Sequence, residues 1–184
     1  RKKSLKKTDM VLDIASNDGS LLNSYKSSVI KFGIDPILKK YEKNYKNIDY
    51  YLADFFSAKK VMKKTKKKFK IITALSVFYD ARNPNSFLLD VRKILDNDGI
   101  FLLEFADLSS IIKFKMFDTI CHEHLEYYST KVICDLAKKH KLRVFDIKQN
   151  DINGGSKQYF ICHTESRIKS KKEKINEILK NENK

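Results

Sequence analysis

Residues 117–129, FDTICHEHLEYYS, are the stretch of the chain richest in reactive side chains, and we call them the histidine segment. Positions 121–124 hold a thiol, two imidazoles and a carboxylate, although the whole chain has only four histidines. An imidazole ordinarily titrates near neutral pH and therefore suits a general base, which a neighbouring carboxylate can orient. Thiols and imidazoles are also zinc ligands. The segment predicts acid–base chemistry or a metal site, unless it is an accident of composition.

A zinc site is the less favoured interpretation of these residues. Cys121, His122 and His124 fall within four positions, which strains tetrahedral coordination, and the sequence shows no second cluster to complete the ligand set. The zinc deaminase pattern needs a later PCxxC, which the sequence lacks. We therefore expect no metal here.

Carboxylates at the ends of apolar runs form a second set of candidate functional residues. Asp13 and Asp18 accompany the end of the first run, Asp35 ends the second, and Asp54 lies near the end of the third. Parallel strands present their carboxyl ends at one edge of a sheet, so these acids are expected to converge on one pocket. Any single acid can instead cap a helix, but three in succession favour a ligand.

The elements that must position these residues alternate along the chain. Helical spacing follows most of the apolar runs, and a DINGGS turn joins the last two strands as an antiparallel pair. This order predicts an α/β fold, a mostly parallel, seven-stranded, Rossmann-like sheet with helices on both faces and a C-terminal hairpin. The strands are expected at 10–16, 29–37, 48–56, 69–80, 99–107, 142–150 and 157–165, and the clearest helices at 17–28, 37–46, 84–98 and 129–141.

Length and composition indicate a single globular domain. The chain has 184 residues, of which 42% are apolar, and no apolar run is long enough to span a membrane. We expect the domain to cover residues 1–166, followed at 167–184 by a polar, lysine-rich helix or tail whose packing partner is missing. Three scattered cysteines without a CxxC pair argue against a disulfide framework and favour a cytoplasmic location.

The formal charge of +15 raises the possibility of a nucleic-acid partner. Only five of the 38 basic residues are arginine, the side chain best shaped for bidentate contacts to phosphate and guanine. The lysines crowd the ends and residues 59–70, with few aromatic residues among them. We expect no specific nucleic-acid partner, and a noncatalytic polyanion-binding domain remains the alternative from a different functional class.

The acid at the end of the second strand indicates a nucleoside ligand, since a carboxylate can accept hydrogen bonds from both ribose hydroxyls. Both NAD and S-adenosylmethionine carry such a ribose. The first loop, residues 15–19, lacks the GxGxxG pattern that lets the backbone approach a pyrophosphate. An acidic rim also suits the sulfonium and ammonium groups of S-adenosylmethionine better than a diphosphate. These two features favour S-adenosylmethionine over NAD.

Five motifs together resemble a known family. VLDIASNDGSLL, FGIDP, LADFF, FDTICHEHLEYYS and NGGS look like those of the S-adenosylmethionine-dependent C-methyltransferases of deoxysugar nucleotides, over residues 9–163. The resemblance implies a class I methyltransferase that methylates carbon of a nucleotide-linked keto sugar. Usual members also have a small zinc module in front and a further C-terminal domain. We accordingly expect this chain to be the central catalytic domain or a fragment.

The resemblance implies a role for residues along the strand ends. The loop from Asp13 to Gly19 would wrap the methionine part of the cofactor, Asp35 would bind the ribose, and Asp54 with Phe55 would bind the adenine. Within that loop, the resemblance implies cofactor contacts for Ala15, Ser16 and Asn17. Ser76 would lie beside the transferred methyl group, together with Val77.

The histidine segment receives the catalytic roles in this interpretation. His124 matches the position of the base that removes a proton beside the carbonyl, Glu123 would orient a ring or the substrate, and His122 would assist. The two imidazoles can share a face only if the segment is extended, since on a helix they diverge by about 200°. Candidate substrate contacts, some equally explained by packing or by a plain turn, are Phe78, Tyr79, Cys121, Tyr127, Tyr128, Asn153, Gly154 and Gly155.

Two positions depart from the family pattern. Ala15 stands where such loops usually have glycine, so its methyl group could crowd the cofactor. Cys121 stands where many relatives have tyrosine, which puts any hydroxyl role there in doubt. An O- or N-methyltransferase acting on another small metabolite is the second enzyme interpretation, with the histidine deprotonating a hydroxyl group instead of a carbon acid.

Overall fold

The computed structural model describes residues 5–182, which build a seven-stranded sheet in the order β3-β2-β1-β4-β5-β7-β6. Strands β1 to β6 run in the same direction, and β7 runs antiparallel to both of its neighbours, β5 and β6. The strands are β1 Met10–Ile14, β2 Ile30–Ile34, β3 Tyr50–Leu52, β4 Phe69–Leu75, β5 Leu95–Phe105, β6 Leu142–Asn150 and β7 Ser156–His163. The predicted Rossmann-like sheet with a C-terminal antiparallel hairpin is confirmed.

Helices cover both faces of the sheet. The α-helices are α1 Ser20–Ser24, α2 Ala58–Lys64, α3 Pro84–Ile94, α4 Leu108–Phe114, α5 Thr130–Lys139 and α6 Lys172–Glu182, and 3₁₀ turns span Leu38–Tyr45, Phe78–Asp80, Phe117–Thr119 and Ile152–Gly154. Within the described residues, none of the helices combines the length and apolar character needed to cross a membrane.

Two apolar clusters fill the space between sheet and helices. The larger contains the fully buried Phe32, Phe69 and Phe101, and the helices α2, α3, α5 and α6 contribute to it. The smaller lies on the other face, where Val11 and Leu22 pack beneath the 3₁₀ segment that ends at Tyr45. Side chains of successive strand residues alternate between the two faces. Residues 31 and 33 therefore face the smaller cluster, whereas Phe32 faces the larger.

Several element boundaries differ from the predictions. The helix expected over 84–98 starts as predicted, with Pro84 at its first turn and the Asn83 side chain accepting a hydrogen bond from the backbone N–H of Ser86. It ends at Ile94, however, because Leu95 is already extended and pairs with Phe69 of β4. The third strand has only three residues. Helix α4 was not predicted, since it is a single short amphipathic stretch beside the histidine segment.

The segment after residue 166 has a packing partner in the same domain. Helix α6 buries Ile175, and Ile178 and Leu179 pack against the larger cluster. At its end the Glu182 carboxylate accepts hydrogen bonds from the backbone N–H of Thr130 (3.0 Å) and from the ammonium of Lys157. A helix, one of the two forms expected here, is present, but the expectation that its packing partner is missing is wrong. The lysine-rich composition of the segment hides the helical spacing of its three apolar residues.

A buried ion pair ties the start of β7 to the end of β5. The Lys157 ammonium donates a hydrogen bond of 2.9 Å to Asp107, which caps α4 through the backbone N–H groups of Ser109 and Ser110. Burial raises the pKa of Asp107, but the hydrogen bonds from Ser109 and Lys157 outweigh it, and the net pKa is lowered. Because Lys157 and Asp107 are paired with each other and hydrogen-bonded, the protein tolerates both charges in its interior.

Candidate active site

The first loop, residues 15–19, follows the carboxyl end of β1, and three of its residues have a left-handed backbone conformation. Ala15, Asn17 and Gly19 have φ values of 58°, 47° and 79°. The left-handed conformation costs a non-glycine residue roughly 1–2 kcal/mol, and the loop is held by backbone hydrogen bonds from Ala15 to Ile34 (2.8 Å) and from Gly19 to Ser16 (2.8 Å). Ala15 therefore adopts, at this cost, a backbone conformation that glycine would adopt without strain.

Asp35 fastens this loop to the end of β2. Its carboxylate is buried, and one oxygen accepts the backbone N–H of Asn17 (3.0 Å) while the other accepts that of Ile37 (2.8 Å). Each carboxylate oxygen has two lone pairs, so one acceptor site per oxygen is still available. The carboxylate thus has a structural role, and it retains the capacity to bind a pair of hydroxyl groups.

Asp13 lies one layer deeper than Asp35, within β1. It is 5% exposed, and the Thr73 hydroxyl of β4 donates a hydrogen bond of 2.5 Å to it. Burial raises the pKa of Asp13 from 3.8 to about 7, with a smaller contribution from the negative charge of Asp35 and a partial offset by Thr73. The two carboxylates thus converge as expected. A positively charged ligand would favour the ionised form of Asp13.

Tyr45 is a site residue that the sequence analysis missed. Its hydroxyl group donates to the Ser16 hydroxyl (2.8 Å) or to the carbonyl oxygen of Asn17 (2.9 Å). Its ring also lies within 3.3 Å of the position that a Cβ atom at Gly19 would occupy. Burial raises the pKa of Tyr45 to about 12, so the hydroxyl stays protonated. Its seven-residue spacing from Leu38 marked a buried position, but nothing in the sequence placed it against the first loop.

Asp54 and Phe55 lie at the same edge but in the open. Asp54 forms an ion pair with Lys60 (2.7 Å) and accepts the backbone N–H of Phe55 (2.8 Å), and the hydrogen bond from Lys60 is the main cause of its lowered pKa. The Phe55 side chain is 72% exposed. These residues do not join Asp13 and Asp35 in the buried carboxylate pair, although an exposed ring at this edge is available to a ligand.

The end of β4 links the acidic loop to the histidine segment. Ser76 has a φ of 51°, its N–H donates to the carbonyl oxygen of Glu104 (2.8 Å), and its hydroxyl is near enough to Tyr79 to act against the rise in the pKa of that phenol. The Tyr79 ring in turn lies 4.1 Å from the His124 ring, centroid to centroid. Tyr79 is half-buried, and burial raises its pKa.

Phe78 and Tyr128, proposed as substrate contacts, are packing residues in this structure. They are 0% and 4% exposed, and their ring centroids lie 5.1 Å apart in an aromatic cluster with Phe105. The motif resemblance does not show which way each side chain faces. In the 3₁₀ turn, the adjacent residues Phe78 and Tyr79 point in different directions. Tyr79, which follows Phe78, is the ring that reaches the site.

His124 is held in one orientation by the turn that precedes it. Its Nδ1 lies 2.7 Å from the carbonyl oxygen of Thr119, which can only accept, so Nδ1 carries the proton. In the neutral ring Nε2 is then unprotonated and able to act as a base. The Tyr127 hydroxyl donates to the same carbonyl (3.3 Å). This main-chain carbonyl performs the orienting task that had been assigned to Glu123.

His122 and Glu123 are largely exposed and do not share the hydrogen bond that orients His124. Their side chains are 91% and 66% exposed, and the His122 Nε2 lies 3.3 Å from a Glu123 carboxylate oxygen. Cys121 is half-exposed, and its charge, when ionised, would act on Tyr79. The segment is not a regular strand here, so the two imidazoles do not share a face.

Asp80 is a second missed residue near His124. Burial and the neighbouring Glu123 carboxylate raise its pKa, while the His124 ring acts in the opposite direction. Asp80 ends the strand predicted over 69–80, and no sequence pattern indicated a functional role for it.

Across residues 5–182, no cluster of three or more histidine, cysteine or acidic side chains could hold a metal ion.

The glycine turn before β7 packs against helix α4 and Met116, which directly precede the histidine segment. Gly154 and Gly155 have φ values of 77° and 137°, conformations that favour glycine. A Cβ atom at Gly154 would lie 3.1 Å from the Met116 side chain, and one at Gly155 would lie 3.3 Å from Ser110. Asn153 lies in the same turn, and its side chain is outside the described part of the structure. The turn therefore packs against the helix that leads into the histidine segment.

The chain resembles known proteins locally in sequence and more broadly in structure. No protein-family model matches the chain. The C-methyltransferase NovU from Streptomyces niveus is 42% identical over 66 residues, which are 36% of this chain and only 16% of the length of that relative.

Two solved structures share the architecture. PKMT2 from Rickettsia typhi in complex with AdoHcy has a TM-score of 0.64 at 15% identity, covering 90% of this chain and 51% of that chain. The N-methyltransferase NodS from Bradyrhizobium japonicum has a TM-score of 0.59 at 14% identity, covering 84% and 85%. The chain therefore has the Rossmann-like fold of class I methyltransferases.

Proposed function

We propose that the protein is an S-adenosylmethionine-dependent methyltransferase that methylates a carbon atom of a nucleotide-linked keto sugar. Support for methyl transfer comes from the fold and from the local similarity to a C-methyltransferase. Support for a carbon acceptor comes from the oriented imidazole of His124. The keto-sugar substrate follows from the motif resemblance.

The observation that carries the proposal is a series of neighbouring side chains along one edge of the sheet. Asp13 is hydrogen-bonded to Thr73 of β4, Ser76 directly follows the end of that strand, and the Tyr79 ring packs against the His124 ring. At about 3.3 Å per residue, Thr73 and Ser76 are roughly 10 Å apart. A nucleoside bound at the acidic loop and a base at His124 would therefore be neighbours.

The residues present fit the cofactor. The Asp35 carboxylate has acceptor capacity for ribose hydroxyls, and two converging carboxylates attract the cationic groups of S-adenosylmethionine more than a diphosphate. When bound, the cofactor supplies an electrophilic methyl group on a positively charged sulfur. Asp54 and Phe55 remain our candidates for its adenine, and Ser76 for the region beside the methyl group.

His124 would make the carbon nucleophile. Its unprotonated Nε2 takes the proton from the carbon beside the substrate carbonyl, and the electrons of that C–H bond form the enolate. The imidazolium that results is stabilised at Nδ1–H by the Thr119 carbonyl. Tyr79, whose ring packs against the imidazole at a tilt of 47°, would limit its rotation and contribute a hydroxyl near the substrate. Cys121, Tyr127 and the 153–155 turn remain candidate substrate contacts.

Calorimetric titration with S-adenosylhomocysteine tests the cofactor assignment. We expect micromolar-range binding to the wild type, on the order of −8 kcal/mol, and loss of binding in Asp35→Ala. Asp135→Ala is the matched control, since it removes an exposed carboxylate on α5. Wild-type affinity in Asp35→Ala would exclude Asp35 from the site, and no binding to the wild type would exclude the cofactor.

The acceptor is tested by offering nucleotide sugars as ketones and as the corresponding alcohols. Only the ketone has an acidic C–H bond, so methyl transfer to the ketone alone identifies C-methylation. Transfer to the alcohol would instead establish O-methylation, with His124 deprotonating a hydroxyl group. The structural similarity to an N-methyltransferase makes an amino sugar the third acceptor to include.

A further inference from the structure

The β5–α5 connection, residues 106–129, contains both helix α4 and the histidine segment. Apolar side chains in its middle are exposed rather than packed, since Phe117 and Leu125 are 83% and 51% exposed. The backbone N–H groups of Leu125 and Glu126 donate to the carbonyl oxygen of Tyr79 (3.0 and 3.2 Å). A segment with so little buried apolar area is weakly held by packing of its own. Its position therefore depends on how its two ends are fastened.

One buried ammonium, that of Lys157 at the start of β7, contacts both ends of this connection. At the first end it donates to the Asp107 carboxylate and to the Ser109 hydroxyl (both 2.9 Å), so it supports the cap of α4. At the other end it donates to the hydroxyl of Thr130, the first residue of α5 (3.3 Å). A single side chain thus joins the start and the end of the connection to the sheet.

The carboxylate of Glu182, at the end of α6, completes this network. One oxygen accepts the Lys157 ammonium, and the other accepts the backbone N–H of Thr130 (3.0 Å), one of the groups that a first helical turn leaves without a helical partner. The ammonium has three protons for its four acceptors, so each proton has a protein acceptor. Removal of the ammonium would leave the buried carboxylates of Asp107 and Glu182 uncompensated.

We propose that Lys157 is a positioning residue for His124, acting through the two ends of the β5–α5 connection. The proposal rests on the proposed role of His124 as the base. With both ends fixed to β7, the connection can adopt few arrangements. The Thr119 carbonyl oxygen then stays within reach of the His124 Nδ1 (2.7 Å), and Nε2 stays unprotonated in the neutral ring.

Loss of the ammonium would loosen the connection at its base. A backbone hydrogen bond from the N–H of Leu108 to the carbonyl oxygen of Tyr128 (2.9 Å) would still join the two ends. The carboxylates of Asp107 and Glu182 would repel each other there and draw water into the network. The histidine segment would sample more arrangements, and His124 would be held by the Thr119 carbonyl for less of the time.

Two measurements on Lys157→Met separate the orientation of His124 from its chemistry. NMR of the imidazole nitrogens reports which one carries the proton of the neutral ring, and we expect Nδ1 in the wild type and a mixture of both tautomers in the variant. Solvent-deuterium exchange into a keto nucleotide sugar should fall by about 10- to 100-fold, as for a misplaced catalytic group. Affinity for S-adenosylhomocysteine should not change, because Asp35 and Tyr45 hold the first loop.

Three further variants accompany Lys157→Met, each studied under conditions in which it is folded. Lys157→Arg keeps a cation that can donate to both carboxylates, so it should recover most of the exchange rate. Val61→Ala controls for lost stability, since it opens a cavity in α2 within the larger cluster and should keep the wild-type tautomer and rate. Should Lys157→Met fail to fold, Thr130→Val decides, because it removes only the hydroxyl at one end and should produce the same changes at smaller size.

The positioning role is wrong if Lys157→Met, or Thr130→Val in its place, keeps the Nδ1 tautomer and the wild-type exchange rate. Equal losses in Val61→Ala would show that the rate follows overall stability, and loss of S-adenosylhomocysteine binding in Lys157→Met would show that the whole site is disrupted. Both results contradict positioning. A wild type that holds the Nδ1 tautomer but exchanges no deuterium would instead contradict His124 as the base, and the tautomer would then decide the positioning role.

Discussion

The first loop and the histidine segment lie at the same sheet edge, but the surrounding protein holds the first loop much more firmly than the histidine segment. Asp35 and Tyr45 hold the first loop through buried side-chain hydrogen bonds to its backbone. In the histidine segment the neighbours His122 and Glu123 are largely exposed, and only His124 is held, by a carbonyl oxygen five residues earlier. The difference indicates a preorganised surface for a cofactor and a more open surface at which a single side chain is oriented for chemistry.

Replacement of His124 should have the largest effect on this comparison. In His124→Ala we expect solvent-deuterium exchange into the carbon beside the carbonyl of a keto nucleotide sugar to fall by about 10²–10⁴-fold, the usual contribution of a general base. His122→Ala is the matched control, because its ring is 91% exposed, and it should retain the wild-type rate. Equal losses in the two variants would mean that the segment acts as a whole.

The buried carboxyl group of Asp13 should make stability depend on pH. Its pKa is raised from 3.8 to about 7, so between these values the native state binds the proton more tightly than the unfolded state. This contribution to the free energy of unfolding is present below pH 4 and is lost as the pH rises to 7. Asp13→Asn keeps the acceptor for Thr73 and should be more stable than the wild type at pH 8 by about 2–4 kcal/mol.

Urea unfolding of both proteins at pH 5 and pH 8 checks this expectation. The advantage of Asp13→Asn over the wild type should be larger at pH 8. A difference that does not change with pH would show that Asp13 is ionised throughout this range, and the carboxylate pair would then be less desolvated than the structure indicates.

The hydroxyl group of Tyr45 should contribute a smaller amount. Tyr45→Phe leaves the Ser16 hydroxyl and the Asn17 carbonyl without this donor, so we expect a loss of about 1–3 kcal/mol in the free energy of unfolding. Tyr51→Phe is the control, since that hydroxyl bonds to the exposed Glu42, and its urea midpoint should not change. A null effect of Tyr45→Phe would mean that the first loop is held by Asp35 alone.

The smallest effect should come from the exposed acid of the same edge. Asp54→Ala removes a solvent-screened ion pair with Lys60, and such pairs contribute little to stability. The thermal midpoint should therefore be unchanged within the error of the measurement. A clear loss would place Asp54 within the preorganised part of the edge, together with Asp35.

The sequence predicted the sheet because its signals are local and repeated. Apolar runs followed by helical spacing specify parallel strands, and the glycine pair at 154–155 specifies the hairpin. The convergence of Asp13 and Asp35 also followed, since parallel strands share an edge. Helix α4 and the early start of β5 were missed, because a short amphipathic stretch and a strand that begins directly after a helix lack such a signal.

Residue types and their order by themselves determined the fold class, the acidic edge and the candidate base. Only the tertiary structure decided which neighbours face inward: it buried Phe78 and left Tyr79 half-buried beside His124, it oriented His124 through the Thr119 carbonyl while His122 stayed exposed, and it placed the Tyr45 hydroxyl against the first loop. The physical reason is that side-chain direction in turns and pairing across the chain depend on packing between distant elements, which local sequence patterns do not encode.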